Sequence, residues 1–306
     1  MNRSDTRGSV LVIVLILMVI AILLATFIVS LSRDITCATR NLQDKLHTRL
    51  ETESTLEKLK YAAATGRFHS WYIANSTPDI CLPDKLNLRG IPLTIGNSTV
   101  RLQDTAGRLG LWPPSPFFIR NVLVAAGIKE EQARIFHDSL LDWVDQDDLK
   151  HLNGAERYYY RTEQGYGYQP RNDQFLQSVR ELALIRGATP EILSIISDNL
   201  LEARTSAINI NTANAPLLAA ALRINLAQAE QLLQHREKTG FLLSSDISRI
   251  LGIGLTLDED SITIFPSLSI SFSITTTVGD ARDIATGILS FKPTRESPYT
   301  VESFHE

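Results

Sequence analysis

GSVLVIVLILMVIAILLATFIVSLS, residues 8–32, is an uncharged, mostly apolar run held between Arg7 and Arg33. A helix needs about 20 apolar residues to cross the roughly 30 Å hydrocarbon core at 1.5 Å each, and this run meets that length. It exceeds the roughly 7–15 apolar residues of a secretory signal, and no small-x-small cleavage site follows it. The leader MNRSDTRG carries Arg3 and Arg7, which the positive-inside bias keeps in the cytoplasm. The expectation is a single-pass anchor in a bacterial inner membrane, with the bulk of the chain in the periplasm.

Outward from the run, residues 33–65 contain no Gly or Pro and repeat apolar residues at helical spacing (Leu42, Leu46, Leu50, Leu56, Leu59, Ala62, Ala63). One long helix is predicted, half in lipid and half in water, ending at Gly66. Residues 67–90, punctuated by Pro78, Pro83 and Gly90, read as loop. IPLTIGNSTVRLQD (91–104) alternates around Gly96-Asn97 and reads as a hairpin. Helical patterns then fill 116–252, including QFLQSVRELALIRG (174–187) and TPEILSIISDNLLEA (189–203), and several open on a cap followed by proline, as at Thr189-Pro190 and Asn214-Ala215-Pro216. Alternation returns in SITIFPSLSISFSITTTVGD and ARDIATGILSFKP around Gly279-Asp280, with PYTVESF as a short last strand. Neither strand group has enough partners for a stable sheet, so the reading is α+β: one sheet interrupted by a helical insertion.

With 306 residues, a net charge of −4 and a pI near 5.9, nothing in the composition calls for a nucleic-acid or anionic-membrane partner. Cys37 and Cys81 sit in a compartment that permits a disulfide, but a juxtamembrane helix and a distant loop need not bring them within bridging distance. The carboxylate-rich stretches lack a positioned histidine, a nucleophile elbow or a phosphate loop, and no enzyme is expected.

Arg7-Gly8 ahead of the apolar run resembles the prepilin-peptidase site of type IV pilin-like proteins. That resemblance implies cleavage after Gly8, with Ser9 methylated as the first mature residue. VRLQDTAGRLGLW (100–112), LLDWVDQDD (140–148), NGAERYYY (153–160), PRNDQFLQSVRELALIRG (170–187) and INI-NTANAPLLAAAL (208–222) follow in order. Together they are similar to the minor pseudopilin of the K class from type II secretion systems (general secretion pathway protein K). The resemblance implies a pilin-like fold with a long N-terminal transmembrane helix and a small antiparallel sheet, interrupted by a large all-helical, SAM-like insertion. The expected division is a leader at 1–8, the membrane helix at 9–32, a first core part at 33–114, the insertion at 115–256 and returning strands at 257–306. The insertion's halves are placed near 115–205 and 206–256.

Most pilins carry glutamate as the fifth mature residue, here Ile13, where a carboxylate pairs with a neighbouring amine in the filament. Ile13 offers no such grip on a preceding subunit, and in the K class this lack implies a place at the filament tip. Other implied partners are sister minor pseudopilins, the prepilin peptidase, and the exported substrate or the secretin. A minor pilin of a type IV pilus is the nearest alternative.

Asp138, Asp142 and Asp145 fall on one helical face, Asp147 and Asp148 follow, and Glu156 comes after Gly154. Such crowded carboxylates repel unless a cation neutralises them, and hard oxygens in a loop suit Ca²⁺. His151 is the nearest histidine; none joins the cluster in sequence, which argues against zinc. The K-class resemblance also implies calcium in the helical domain. Asp145, Asp147, Asp148 and Glu156 are the first candidates, and Asp142 the next. The alternative is that these carboxylates cap helix ends and face water.

Residues 208–254 also resemble the tandem helix–hairpin–helix of competence DNA receptors. The first hairpin, Arg223-Ile224-Asn225, lacks glycine. The second, Gly252-Ile253-Gly254, runs into Asp258, Glu259 and Asp260, which would repel phosphate. A packing scaffold is expected instead, with Asn209 and Asn211 bracing the turn and Leu217, Leu218 and Leu222 in a core.

Overall fold

The computed structural model describes residues 6–77, 80–112, 115–172, 175–205, 207–252, 262–292, 294–295 and 297–305. Helix α1 (Thr6–Thr65) is continuous and about 90 Å long at 1.5 Å per residue. Its apolar half, Val10 to Leu31, is exposed throughout, and among the described residues this is the helix long and apolar enough to cross a membrane. The second half buries Leu56, Leu59, Ala62 and Ala63. The helix ends at Thr65, and the next position takes glycine for a steric reason: a Cβ there would lie 2.5 Å from the Ala62 carbonyl and 2.7 Å from Ile73.

The segment expected to be loop instead forms a small antiparallel sheet of β1 (Arg67–Phe68), β2 (Tyr72–Ala74) and β3 (Lys85–Asn87). Strands of two or three residues are too short for alternation to register in sequence. What holds them is burial of Ile73 and Leu86 in the core that includes Leu56 and Leu59. β4 (Leu93–Ile95) and β5 (Ser98–Asp104) form the hairpin around Gly96-Asn97.

A 3₁₀ turn (Thr105–Gly107) and β6 (Leu109–Gly110) lead into α2 (Pro116–Ala125), α3 (Glu130–Val144) and α4 (Pro190–Asn199). Two expectations fail here. Among the described residues of the 174–187 stretch, 175–187, the regular element is a 3₁₀ turn, Val179–Leu184, and not an α-helix. Side chains take the backbone donors at its entry, Glu181 accepting from Gln177 N (2.7 Å) and Glu202 from Val179 N (2.8 Å). And the helix beginning at Pro190 ends at Asn199, because Leu200–Leu201 turns extended as β7 to pair in parallel with β6.

The chain continues through β8 (Ile208–Asn209), α5 (Ala215–Leu222), α6 (Leu226–Thr239), α7 (Ser244–Leu251) and β9 (Ile262–Thr263), which pairs with β8. The helical block has two apolar centres. Phe136, Leu140, Trp143, Tyr160 and Ile196 belong to the larger, and Leu218, Leu222, Leu232 and Ile247 to the smaller; α5 faces both, with Leu217 and Ala220 turned to the larger. Arg223 closes α5 in a left-handed conformation (φ 55°), and Asn225 opens α6 with a capping box to Gln228. The second hairpin's Ile253 and Gly254, with Asp258, Glu259 and Asp260, lie outside the described residues.

β10 (Ser269–Val278), β11 (Ala281–Ser290) and β12 (Thr300–His305) complete a five-stranded antiparallel sheet of order β12-β11-β10-β5-β4. Thus β5 and β10, which flank the helical block in sequence, are neighbours. One face, with Val100, Leu102, Ile270, Phe272 and Ile274, packs on α1. Hydroxyls finish that contact toward the hairpin end, where Thr52 Oγ1 donates to Thr276 Oγ1 (2.8 Å).

Sheet and helical block are tied together at Asp104, which is fully buried. Its Oδ1 accepts from Ala106 N (3.2 Å) and Ser267 N (3.0 Å) with Ser267 Oγ at 2.8 Å; its Oδ2 accepts from Asn209 Nδ2 (2.8 Å) and Thr212 Oγ1 (3.0 Å). Nearby, Arg89 stacks on Trp71 (4.5 Å) and donates to the carbonyls of Asn211 (2.8 Å) and Gly240 (3.0 Å). Asn211 itself bonds both backbone groups of Leu242, at 2.7 and 3.1 Å. Cys37 and Cys81 are both free and exposed. Leu82 packs in the same cluster as Leu56, which lies roughly 30 Å along α1 from Cys37, too far for a bridge.

Candidate metal centre

The helical spacing of Asp138, Asp142 and Asp145 places three carboxylates along one face at the C-terminal end of α3, with Asp145 as its cap residue. That end carries the negative pole of the helix dipole, an unfavourable place for further anions. The following loop folds back over them. Asn153 N and Nδ2 donate to Asp138 Oδ2 (3.1 and 2.9 Å), and His151 N donates to Asp142 Oδ1 (3.0 Å). Arg186 pins the loop by donating to the Gly154 carbonyl (2.9 Å). Gly154 is required sterically, since a Cβ would lie 1.9 Å from Asp142 Oδ2.

This fold-back leaves a nest of unanswered carboxylate oxygens, in which Glu156 lies beside the tighter group formed by Asp142, Asp145 and His151. Asp142 is fully buried and Glu156 is 6% exposed. Asp142 Oδ2, Asp145 Oδ1 and both Glu156 carboxylate oxygens are buried and make no hydrogen bond. A buried ionised carboxylate without a partner costs several kcal/mol, on the order of a lost ion pair. Burial, and then the charges of Asp142, Asp145 and Asp148, push the Glu156 carboxyl up to about 7. Asp145 is raised as well, by burial and then by Asp147 and Asp142. For Asp138, burial pushes upward but is outweighed by hydrogen bonds from His137 and Asn153, and its pKa ends lowered.

His151, set aside in the sequence, enters the cluster. Its Nδ1 lies 2.5 Å from Asp142 Oδ1, and one ligand atom each from Asp142, Asp145 and His151 falls within 4.8 Å of the others. The hydrogen bond to Asp142 raises its pKa, burial opposes this, and the surrounding carboxylates add to the rise. The His151 Nδ1 is committed to Asp142, and the buried atoms of the cluster that make no hydrogen bond are all oxygens. That set fits a hard cation such as Ca²⁺ better than zinc. The remaining sequence candidates sit differently: Asp147 is exposed, and its Oδ1 caps Leu149 N (2.8 Å); Asp148 is exposed and shares a surface hollow with Glu156 and Arg157.

Of the processing candidates, Gly8 and Ser9 fall within the first turns of α1, and Ile13 is an exposed apolar side chain further along it. A helix of membrane length whose second half packs on a small antiparallel sheet defines the pilin-like class. Two profiles of one family, described as type II secretion system protein K, match residues 86–198 and 208–264, together more than half of the chain. The chain belongs to that family. It is 30% identical to type II secretion system protein K of Pseudomonas aeruginosa over 166 residues, covering 51% of this chain and 49% of that protein. To the Klebsiella pneumoniae protein K it is 36% identical over 135 residues, 42% of this chain and 40% of that one. The matched stretch therefore spans half or less of these relatives. A solved structure, the GspK-GspI-GspJ complex of the enterotoxigenic Escherichia coli type 2 secretion system, contains a chain of similar fold. It has a TM-score of 0.55 at 14% identity, covering 88% of this chain and 98% of that one.

Proposed function

We propose that this chain is a minor pseudopilin at the tip of a periplasmic pseudopilus, where it nucleates assembly with sister minor pseudopilins and supports protein export. The observation that carries this reading is α1: its first half, Val10 to Leu31, is exposed and packs on no described residue, while its second half packs on the sheet that bears the helical block. The apolar half suits the inner membrane before assembly and the helices of sister subunits after it. The complex formed by the E. coli structural relative supports the choice of partners. Ile13 in place of a carboxylate leaves nothing to hold a preceding subunit, which suits the tip. In the same reading the prepilin peptidase cuts after Gly8, Ser9 is methylated, and the leader stays cytoplasmic.

Mass spectrometry of the native N-terminus tests the processing step directly. A mature chain beginning at methylated Ser9 is expected, and Gly8→Leu should leave the longer, uncut chain. Normal maturation of that variant would refute the peptidase assignment. Crosslinking through α1 to sister pseudopilins in membranes tests placement; recovery of crosslinks on both the upper and lower sides of the subunit would argue against the tip.

The same proposal assigns Ca²⁺ to the nest, held by Asp142, Asp145 and Glu156. Bound there, the ion would supply charge neutralisation, and the chain's own residues would do the rest. α3 presents two carboxylates, Gly154 admits the loop, Arg186 holds it down, and Glu156 gives up its proton to complete the donor set. The expected outcome is a helical block locked in shape on arrival in a calcium-containing periplasm.

A further inference from the structure

The face of the five-stranded sheet turned away from α1 mixes polar side chains with Ile284 and Ile288, and together with the helical block it encloses a groove of about 460 Å³. Strand register sets Arg101, Ser273, Thr286 and His305 in one row across β5, β10, β11 and β12. At 4.7–4.9 Å between strands, that row is about 14 Å long. The opposite wall carries Arg108, half-buried and without a hydrogen bond or ion pair to any described residue through its side chain. Burial lowers its pKa, and the charge of Asp198 opposes this without overcoming it. Among the described lining residues the one carboxylate is Glu202, and its Oε1 is already bonded to Val179 N (2.8 Å).

A guanidinium partly withdrawn from water, with no hydrogen bond and with only the charge of exposed Asp198 acting to favour it, is incompletely compensated and favours an anion. The groove's length decides which kind. A single carboxylate or phosphate cannot reach both Arg108 and the ends of a row about 14 Å long, whereas four extended residues at about 3.3 Å each can. The chain's net charge of −4 disfavours a nucleic acid, whose phosphates would meet repulsion everywhere beyond the groove. We propose that this groove binds an extended acidic segment of a partner protein, with Arg108 and Arg101 holding its carboxylates and the Ser273 and Thr286 hydroxyls bonding the chain between them. The groove shares no residue with the carboxylate nest, so it stands or falls apart from calcium.

The test uses the full chain in detergent micelles and a fluorescein-labelled peptide alternating glutamate and serine, followed by anisotropy at low ionic strength. The matching peptide with glutamine for glutamate is the control. Saturable binding of the glutamate peptide alone is expected. Arg108→Gln should weaken it about tenfold or more, as loss of a charge-assisted bond does. Arg101→Gln should cost less, since that side chain is exposed and already donates to the Gly90 carbonyl (3.1 Å). Thr286→Glu, at a surface-reaching strand position, supplies an independent variant and should abolish binding by repulsion. Equal binding of both peptides, wild-type affinity in Arg108→Gln and Thr286→Glu, no binding at all, or tighter binding of a single-stranded oligonucleotide would each overturn the proposal.

Discussion

Asp104 and the Asp142–Asp145–Glu156 nest are both buried carboxylate sites, yet they are built to opposite ends. At Asp104 every direction around the carboxylate is met by a donor from 106, 209, 212 or 267, so the charge is solvated by the protein and knots the sheet to the helical block. In the nest, four carboxylate oxygens meet no donor, and three acidic side chains share one another's field. The first arrangement is complete as folded. The second is stable only with a proton, a neighbouring imidazolium or a metal ion. Burial of a carboxylate therefore says little by itself; the count of donors facing it separates a structural charge from a binding one.

The sharpest way to break this contrast is to remove each carboxylate. Asp104→Ala strands several buried donors at about 1–3 kcal/mol each, so a loss on the order of 5 kcal/mol is expected, with calcium unable to restore it. Urea unfolding of the detergent-solubilised chain measures this. A loss below about 1 kcal/mol would mean that water replaces the carboxylate and the knot is not structural.

The nest should respond the other way. Calcium at a hundredfold excess over its Kd adds about 2.7 kcal/mol to the folded state. For a domain of this size that is roughly 5–10 °C in melting temperature. Asp142→Asn should abolish most of that rise while costing little in chelator, because it also relieves repulsion on Glu156. An equal rise in wild type and variant would place any bound calcium elsewhere.

The two sites also differ in how far the sequence revealed them. Asp138, Asp142 and Asp145 repeat at helical spacing and Glu156 follows a glycine within the same short stretch, so the cluster is legible locally. Asp104 reads as the last residue of a strand, and apart from Ala106 its partners lie 105, 108 and 163 positions away, where no local pattern reaches. α1 was legible from composition alone, as were the two hairpins from alternation and Gly-Asn or Gly-Asp turns. The 67–87 sheet was not, since its strands are too short to carry a period. Neither was the end of α4, because pairing of Leu200 with Leu109 overrides the helical pattern. His151 is the nearest histidine but does not join the cluster in sequence; the loop that Gly154 lets close brings it to Asp142. The basic groove depends on register across four strands and had no sequence signal.

A smaller effect, on pH, sharpens the comparison further. In the folded chain Glu156 titrates near 7, against about 4.5 when unfolded. Between those values the folded state holds the extra proton, so stability falls as pH rises through the window. His151 acts in the same sense: its pKa is raised, so its contribution is present below the ordinary imidazole value and lost as pH climbs through the folded one. In chelator the melting temperature should therefore decline between about pH 5 and about pH 8. Calcium should flatten that decline, since the ion stabilises the ionised nest. A chelated protein that grows steadily more stable over this range would contradict the nest's electrostatics.

The smallest expected effect separates the nest's inner residues from its rim. Asp147 is among the residues that the bare sequence favours as a ligand, but its carboxylate is exposed and faces Leu149 N rather than the orphaned oxygens of Asp142 and Glu156. Removing it in Asp147→Ala deletes a loop cap of about 0.5–1 kcal/mol and weakens the repulsion that raises Asp145. Asp145→Ala deletes one of the open oxygens themselves. The calcium-induced rise should thus survive largely intact in Asp147→Ala and shrink markedly in Asp145→Ala, with titration calorimetry on both variants giving the ratio of affinities. If the order were reversed, the loop would have to swing Asp147 inward when the ion binds, and the contrast with the prebuilt donor shell of Asp104 would become one of mobility as well as of charge.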